Sequence, residues 1–276
     1  MSSIEQRGLQ HLGIDWPEIT VLHIPSRRCK EETPISTTYV EAANWDICRE
    51  HKPEQGISSE TRPPEPKVLL FDLGHVFLDA SYKIIFQALA EFRISREKAK
   101  FIFTTNEYND FARGKIDGHT LRDALRVILD LPDLTDEEIR EVHDRHIFGL
   151  VPGMVELLEK VTQKYGSDNI VFVTDTCDWQ TTRQQQLIDL NRYRIIKSNE
   201  VGMLKSDPEI VDDQGHRRSF FLYVLEELNL QPQEALLIDD SPEKIATADG
   251  YGIQTIQFEN KNQLETALRK RNILEN

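Results

Sequence analysis

The chain has 276 residues, of which 39% are hydrophobic and 29% are charged, and its net charge at pH 7 is −14. This length allows one large domain or two small ones, and the composition is typical of a globular protein. The acidic balance argues against binding nucleic acid or an anionic membrane through bulk electrostatics. It remains compatible with an anionic small molecule, because a bound cation and one lysine reverse the potential locally.

The cysteines and the amino-terminal segment indicate the compartment. Cys29, Cys48 and Cys177 form an odd set without zinc-site spacing, so we expect reduced thiols. The opening MSSIEQRGLQHLGIDW lacks the charged and then apolar pattern of a signal peptide, and no stretch approaches the length of a membrane span. These features predict a cytoplasmic protein that does not bind membranes.

Residues 1–66 are predicted to form an extension that is separate from the rest of the chain. The stretch at 58–67, SSETRPPEPK, is a proline-rich linker, because proline restricts the backbone and removes a hydrogen-bond donor. The extension is either a partly ordered tail or an arm that docks on the body or a partner. In the second case Trp16 and Trp45 are its expected anchors, since large aromatic side chains tend to be buried.

An alternation of strands and helices begins at Lys67 and is interrupted once. Residues 67–80 and 151–276 contain short apolar runs separated by amphipathic helices, which predicts an α/β fold with a doubly wound, Rossmann-like parallel sheet. Residues 81–150 show only helical periodicity, which includes a capping box at Thr135 and Glu138. We therefore expect a helical domain inserted after the first strand.

Four short hydrophobic runs, which we predict to be strands, each end in one polar group, in a fixed order. Because ligands bind beyond the carboxyl ends of parallel strands, these groups are expected to meet in one crevice. Carboxylates, a hydroxyl and an ammonium together suit Mg²⁺ and a phosphate. The groups are Asp72 in VLLFDLGHVF, Thr174 in NIVFVTDT, Lys205 in VGMLKSDPE, and Asp239 and Asp240 in ALLIDDSPE.

Chemistry suggests a role for each acidic group. Asp72 is a candidate nucleophile that would form an aspartyl phosphate, although an Asp that caps a turn is the structural alternative. Asp239 and Asp240 are adjacent like charges, a conflict that a divalent cation relieves, whereas helix capping explains only one of them. Lys205 would neutralise the nucleophile and the phosphoryl oxygens. We therefore expect a Mg²⁺ site.

These motifs resemble those of the haloacid-dehalogenase (HAD) superfamily of hydrolases over roughly residues 67–260. The most specific segments are LLIDDSPEKIATADGYGI and GMLKSDPEI. The segment at 108–125, YNDFARGKIDGHTLRDAL, is similar to the helical cap of members with an insertion after the first strand. The resemblance implies a HAD-like α/β core with a helical cap at 81–150.

The resemblance also implies a metal set. Asp72 would be both nucleophile and metal ligand, and the backbone carbonyl of Gly74 would be a second ligand. Asp240 would bind Mg²⁺ directly. Asp239 would act through water or support Lys205.

The substrate side of the implied site contains Thr174 and Lys205, which would hold the phosphoryl group. Asp175 follows Thr174 where close relatives often have Asn, so an additional negative charge lies near the predicted phosphate site. His143 and His146 lie three residues apart, and we interpret them as ordinary helix residues.

The chain departs from the family pattern at Gly74, where phosphatases of the family usually carry a second Asp as general acid and base. General acid–base catalysis contributes about 10²–10⁴ in rate. Three outcomes stay open. The enzyme uses good leaving groups, water or the substrate itself; His75 replaces the acid; or catalysis is lost and the protein is a binding or regulatory one.

The function that we predict is a Mg²⁺-dependent phosphatase of a small phosphorylated metabolite, such as a sugar phosphate, acting as a monomer or homodimer. A weakly active or inactive binding protein is the first alternative. A metal-free dehalogenase is compatible with Gly74, but a metal-free halide site does not explain the Asp239–Asp240 pair. A response-regulator receiver places its acidic pair before the phosphorylated Asp, which is the reverse of the order here.

Overall fold

The computed structural model describes residues 64–80, 103 and 105–275. These residues lie within one compact unit, Glu60–Asn276. The predictions for most of the N-terminal extension, including Trp16, Trp45, Cys29 and Cys48, fall outside the described residues. The same holds for the helices predicted between residues 81 and 102.

A five-stranded parallel sheet forms the centre of the fold, in the strand order β5-β4-β1-β8-β9. This confirms the predicted doubly wound α/β architecture. Parallel strands need crossover connections, and helices supply most of them here. The strands of the sheet are β1 (Val68–Phe71), β4 (Ile170–Thr174), β5 (Arg194–Lys197), β8 (Ala235–Asp239) and β9 (Gln254–Gln257).

Both faces of the sheet are buried. Along β1, Leu69 and Phe71 belong to one hydrophobic cluster and Val68 and Leu70 to another. Successive side chains of a strand point to opposite faces, so this division follows directly from the run VLLF. Burial on both faces explains why the central strands are continuous apolar runs without alternation.

The helices fall into two groups. Among the described residues, three lie in the segment between β2 (Leu78–Ala80) and β3 (Ile147–Leu150), which we call the insertion, and the others accompany the sheet. Those of the insertion are α1 (Asn106–Ala112), α2 (Gly118–Leu129) and α3 (Asp136–Asp144). The others are α4 (Met154–Tyr165), α5 (Asp178–Leu187), α6 (Ser198–Val201), α7 (Phe220–Glu227), α8 (Pro242–Gly250) and α9 (Lys261–Lys270).

Local capping signals account for several helix boundaries. The capping box of Thr135 and Glu138 opens α3 as predicted, and the side chain of Ser241 caps α8. Gly166 follows the last residue of α4 with φ of 77°, a conformation that a side chain would strain.

The end of the insertion differs from the sequence prediction. The helical periodicity predicts one helix through Phe148, but α3 ends at Asp144. Residues Ile147–Leu150 form β3 and pair antiparallel with β2, Leu78–Ala80. Ile and Gly are poor helix formers, and the pairing satisfies their backbone groups. The partner strand is about 70 residues away in sequence, so local periodicity could not reveal it.

Two smaller features complete the description. The link between the Lys205 motif and α7 is a short antiparallel hairpin of β6 (Ile210–Val211) and β7 (Arg217–Arg218). Within the described ranges, no helix has both the length and the apolar character needed to cross a membrane.

Candidate active site

The site lies at the carboxyl ends of three adjacent strands, β4, β1 and β8. Thr174 is the last residue of β4, Asp72 directly follows β1, and Asp239 is the last residue of β8. All three are at most 3% exposed. Parallel strands that lie side by side bring their carboxyl ends to one edge, so the predicted convergence of these groups is observed.

Three carboxylates meet in this site. One ligand oxygen each of Asp72, Asp239 and Asp240 lies within 4.8 Å of the others. Among the described residues, the Asp240 carboxylate has no hydrogen-bond or ion-pair partner, and it lines a cavity. An all-oxygen donor set with one side open to a cavity matches what Mg²⁺ requires, since this ion keeps several of its waters.

Lys205 connects two of the carboxylates. Its ammonium Nζ donates to Asp72 Oδ1 and Asp239 Oδ2, each at 2.6 Å, and to the Val173 carbonyl at 3.2 Å. The side chain is fully buried. Asp239 therefore supports Lys205, one of the two roles that the resemblance implied for it. Its other oxygen accepts from the Ser241 N–H at 2.9 Å and so stabilises the turn into α8.

The protonation of Asp72 depends on this neighbourhood. Its pKa is raised to about 6, chiefly by burial. The positive charge of Lys205 lowers this pKa, and the negative charge of Asp239 raises it. Carboxylates bind metals only when deprotonated. Asp72 in the metal-free protein is therefore a stronger base than an ordinary Asp.

A second lysine, which sequence reasoning missed, lies in the same site. The ammonium of Lys244 is 3.0 Å from Asp175 Oδ2. Burial opposes its charge, but the carboxylates, chiefly Asp175, raise its pKa above the usual value. The other oxygen of Asp175 accepts from the Lys205 backbone N–H at 2.9 Å. The additional negative charge of Asp175, which lines the cavity, is thus paired with Lys244.

The sequence offered one signal for Lys244, its position in the first turn of the helix that follows Asp239 and Asp240. When a helix begins directly after a strand, its first turn lies at the edge of the sheet where that strand ends. Lys244 is the third residue of α8 and therefore reaches the cluster.

Gly74 and His75 lie beside the carboxylates and line the cavity. A Cβ added at Gly74 would meet Asp72 Oδ2 at 3.7 Å, which is ordinary contact, so sterics do not require glycine there. His75 adopts a φ of 55°, which is uncommon for a residue with a side chain. It is held in a turn, where its N–H donates to the Leu78 carbonyl at 2.9 Å.

The cavity has a volume of about 460 Å³ and lies between the insertion and the sheet edge. Besides the predicted residues Thr174 and Asp175, its lining includes Tyr108, His146 and Gln180, which sequence reasoning missed as site residues. The interpretation of His146 as an ordinary helix residue is wrong, because it lies beyond the end of α3. His143 is in α3 and fully buried.

A slightly larger cavity, about 500 Å³, lies along α5 and β5. It contains none of the clustered carboxylates and neither of the site lysines. We therefore assign the chemistry to the smaller one.

Comparison with solved structures relates this arrangement to known folds. A HAD family enzyme from Bacteroides thetaiotaomicron, in its magnesium complex, superposes with a TM-score of 0.63 at 20% identity, over 75% of this chain and all of the other. A predicted HAD-like family hydrolase from Porphyromonas gingivalis gives 0.59 at 16% identity, over 75% and 98% of the two chains. The chain has the haloacid-dehalogenase fold.

Sequence comparison agrees with this fold. A phosphorylated carbohydrates phosphatase from Thermotoga maritima is 24% identical over 201 residues, which cover 69% of this chain and 83% of the relative. No family model matches the chain. In this chain Thr174, Asp72 and Asp239 lie at the carboxyl ends of three adjacent strands of that fold.

Proposed function

We propose that the protein is a Mg²⁺-dependent phosphatase of small phosphomonoesters that acts through an aspartyl-phosphate intermediate. The observation that carries the proposal is the contact of Asp72 with Lys205 beside Asp239 and Asp240, at the edge of a cavity. The magnesium and inorganic phosphate bound by the HAD enzyme of Bacteroides thetaiotaomicron, which is 20% identical, support it. So does the similarity to a phosphatase of phosphorylated carbohydrates.

The residues present fit the metal. Asp72, Asp240 and the Gly74 carbonyl would hold Mg²⁺, while Asp239 serves Lys205. When bound, the ion would supply positive charge against the phosphoryl oxygens and neutralise the carboxylates. Thr174 and Lys244, which line the cavity, would bind the phosphoryl oxygens from the protein side. Lys205, whose three N–H donors are used within the protein, would contribute its positive charge.

In the first step an oxygen of Asp72 attacks phosphorus, and the bond from phosphorus to the leaving oxygen breaks. The leaving oxygen takes its proton from solvent, from the substrate or from His75, because residue 74 has no side chain to donate one. In the second step water attacks phosphorus, the bond to Asp72 breaks, and inorganic phosphate leaves with the carboxylate restored. Lys205 stabilises the Asp72 carboxylate before and after the reaction.

The test is phosphate release from p-nitrophenyl phosphate and a panel of phosphorylated metabolites, with and without Mg²⁺. Asp72→Asn keeps the shape of the side chain and should lower the rate about 10³-fold or more. Asp79→Asn is the matched control, because Asp79 is half-buried in β2 and does not line the cavity. Its rate should equal that of the parent.

Two results would overturn the proposal. One is that no substrate releases phosphate in a Mg²⁺-dependent manner, which would favour the binding protein that Gly74 allows. The other is that Asp72→Asn retains the parent's rate, which would show that a different group is the nucleophile.

A further inference from the structure

The cavity carries a polar cluster that the proposed chemistry does not use. It consists of Tyr108 on α1, His146 before β3 and Gln180 on α5, and all three line the cavity. The Gln180 amide nitrogen Nε2 lies 3.1 Å from the Tyr108 hydroxyl and 3.1 Å from His146 Nε2. This cluster connects the insertion with the helix that follows β4.

The protonation of His146 follows from its contacts. Its Nδ1 hydrogen-bonds to the His143 carbonyl, which can only accept, so Nδ1 carries the hydrogen. Burial, and then the neighbouring His143, lower the pKa of His146 to about 3, so the ring is neutral. Its Nε2 is then an acceptor. Gln180 must point its NH₂ group toward it, which settles the orientation of the amide.

Tyr108 uses the second hydrogen of that amide. Its hydroxyl accepts from Gln180 and lies 3.5 Å from His143 Nε2. His143 Nδ1 is 3.3 Å from the Asp144 carboxylate, so Nδ1 carries the hydrogen and Nε2 can accept from Tyr108. Burial lowers the pKa of His143, which keeps this ring neutral as well. Both hydrogens of the Gln180 amide are therefore committed to the protein.

The carboxamide oxygen of Gln180 takes no part in these contacts. Within the described part of the chain it accepts no hydrogen bond, and the residue is half-buried at the cavity. A carbonyl oxygen repels phosphoryl oxygens and binds hydrogen-bond donors. The same assignment excludes His146 as the missing general acid, since its cavity-side nitrogen has no proton to give.

We propose that the Gln180 oxygen binds a hydroxyl of the leaving group, which makes polyol or sugar phosphates the preferred substrates. This inference rests on the proposed phosphatase function and deepens it. A cavity of about 460 Å³ is large enough for a small sugar phosphate. Hydroxyl recognition by a fixed acceptor discriminates strongly, because an analogue without the hydroxyl leaves that acceptor unpaired.

The experiment compares kcat/KM for D-glucose 6-phosphate, other hexose phosphates and glycerol phosphate with that for p-nitrophenyl phosphate, which has no hydroxyl. Gln180→Leu should lower the ratio of the best polyol phosphate to p-nitrophenyl phosphate by about ten-fold or more. Gln185→Leu makes the same change on an exposed position of α5 and should leave the ratio unaltered. Thermal unfolding of both variants measures any loss of stability separately.

The ratio distinguishes recognition from a structural role. If Gln180 only holds the insertion against α5, its loss lowers stability or both rates together, the ratio stays constant and the inference is overturned. It is also overturned if the parent hydrolyses p-nitrophenyl phosphate but none of the polyol phosphates, a result that leaves the phosphatase function intact. Failure of every substrate, p-nitrophenyl phosphate included, removes the phosphatase function itself.

Discussion

The charges of the site are unbalanced by two. Four carboxylates, those of Asp72, Asp175, Asp239 and Asp240, face the ammonium groups of Lys205 and Lys244. Buried charges are costly unless they are compensated, and one divalent cation would supply the missing charge. The pairing of Asp175 with Lys244 belongs to this balance, since it neutralises a carboxylate next to the proposed phosphate position.

Gly74 allows a direct test of the missing acid. A Cβ at this position meets only Asp72 Oδ2, at 3.7 Å, so Gly74→Asp should fit. If an acid is what the site lacks, the variant should hydrolyse alkyl phosphates about ten-fold or more faster, and p-nitrophenyl phosphate should gain less because its leaving group needs no proton. Gly74→Asn, which has the same shape without the acid, is the control.

The opposite outcome is equally informative. An equal or lower rate for alkyl phosphates in Gly74→Asp would mean that proton donation does not limit the parent enzyme. Water, the substrate or His75 then serves as the acid, because His146 is neutral with no available proton.

The insertion is attached to the core through the loop that carries Lys205. Arg113, directly after α1, donates through Nε to Asp207 Oδ2 at 2.8 Å and through Nη2 to Oδ1 at 2.5 Å. Asp207 Oδ2 also accepts from the Leu204 N–H at 2.8 Å. One carboxylate thus holds both the end of a helix of the insertion and the backbone next to Lys205.

Asp207→Asn should loosen this attachment while preserving shape. Hydrogen bonds to charged groups contribute about 1.5–3 kcal/mol, so we expect a loss of that order in the free energy of unfolding, with an increase in KM. Urea unfolding and steady-state kinetics measure both. Glu141→Gln, which breaks the exposed pair between Glu141 on α3 and Arg145 directly after that helix, should cost less than about 1 kcal/mol. Equal losses in the two variants would contradict the proposed attachment.

The sequence predicted the central sheet because its signals are local. Runs such as VLLF and ALLID are apolar throughout, and that pattern is typical of strands buried on both faces. The meeting of Asp72, Asp239 and Asp240 followed from strand ends alone. Neither depended on knowing which residues pack together across the fold. The strand predicted to end at Lys205 is wrong, because Lys205 lies in a loop that follows α6.

The rest of the site depends on contacts between distant residues. Lys244 matters because it reaches Asp175, and His146 because α3 ends early to let β3 pair with β2. Gln180 acquires a role only through Tyr108 and His146, which belong to the insertion. No periodicity or spacing encodes such tertiary partners, so the partner of Lys244 and the places of His146 and Gln180 at the cavity could not be identified from the chain alone.

At the scale of the whole molecule, we expect metal binding and folding to be coupled. In the metal-free protein the pKa of Asp72 is raised to about 6 from its ordinary 3.8, chiefly by burial. A carboxyl group whose pKa is raised in the folded state stabilises the fold at pH values below its pKa in the unfolded chain. This contribution is lost as the pH rises through 6. The free energy of unfolding should therefore differ by about 3 kcal/mol between acidic and neutral pH.

Mg²⁺ should reverse that loss, because it binds the deprotonated carboxylates and only in the folded state. We therefore expect 10 mM MgCl₂ to raise Tm substantially at pH 7.5 and little at pH 5, compared with NaCl of equal ionic strength. Asp240→Asn should abolish the pH-dependent part, whereas Asp249→Asn, on the exposed end of α8, should retain it. A Mg²⁺ effect that is the same at both pH values, or that survives in Asp240→Asn, would place the ion away from these carboxylates.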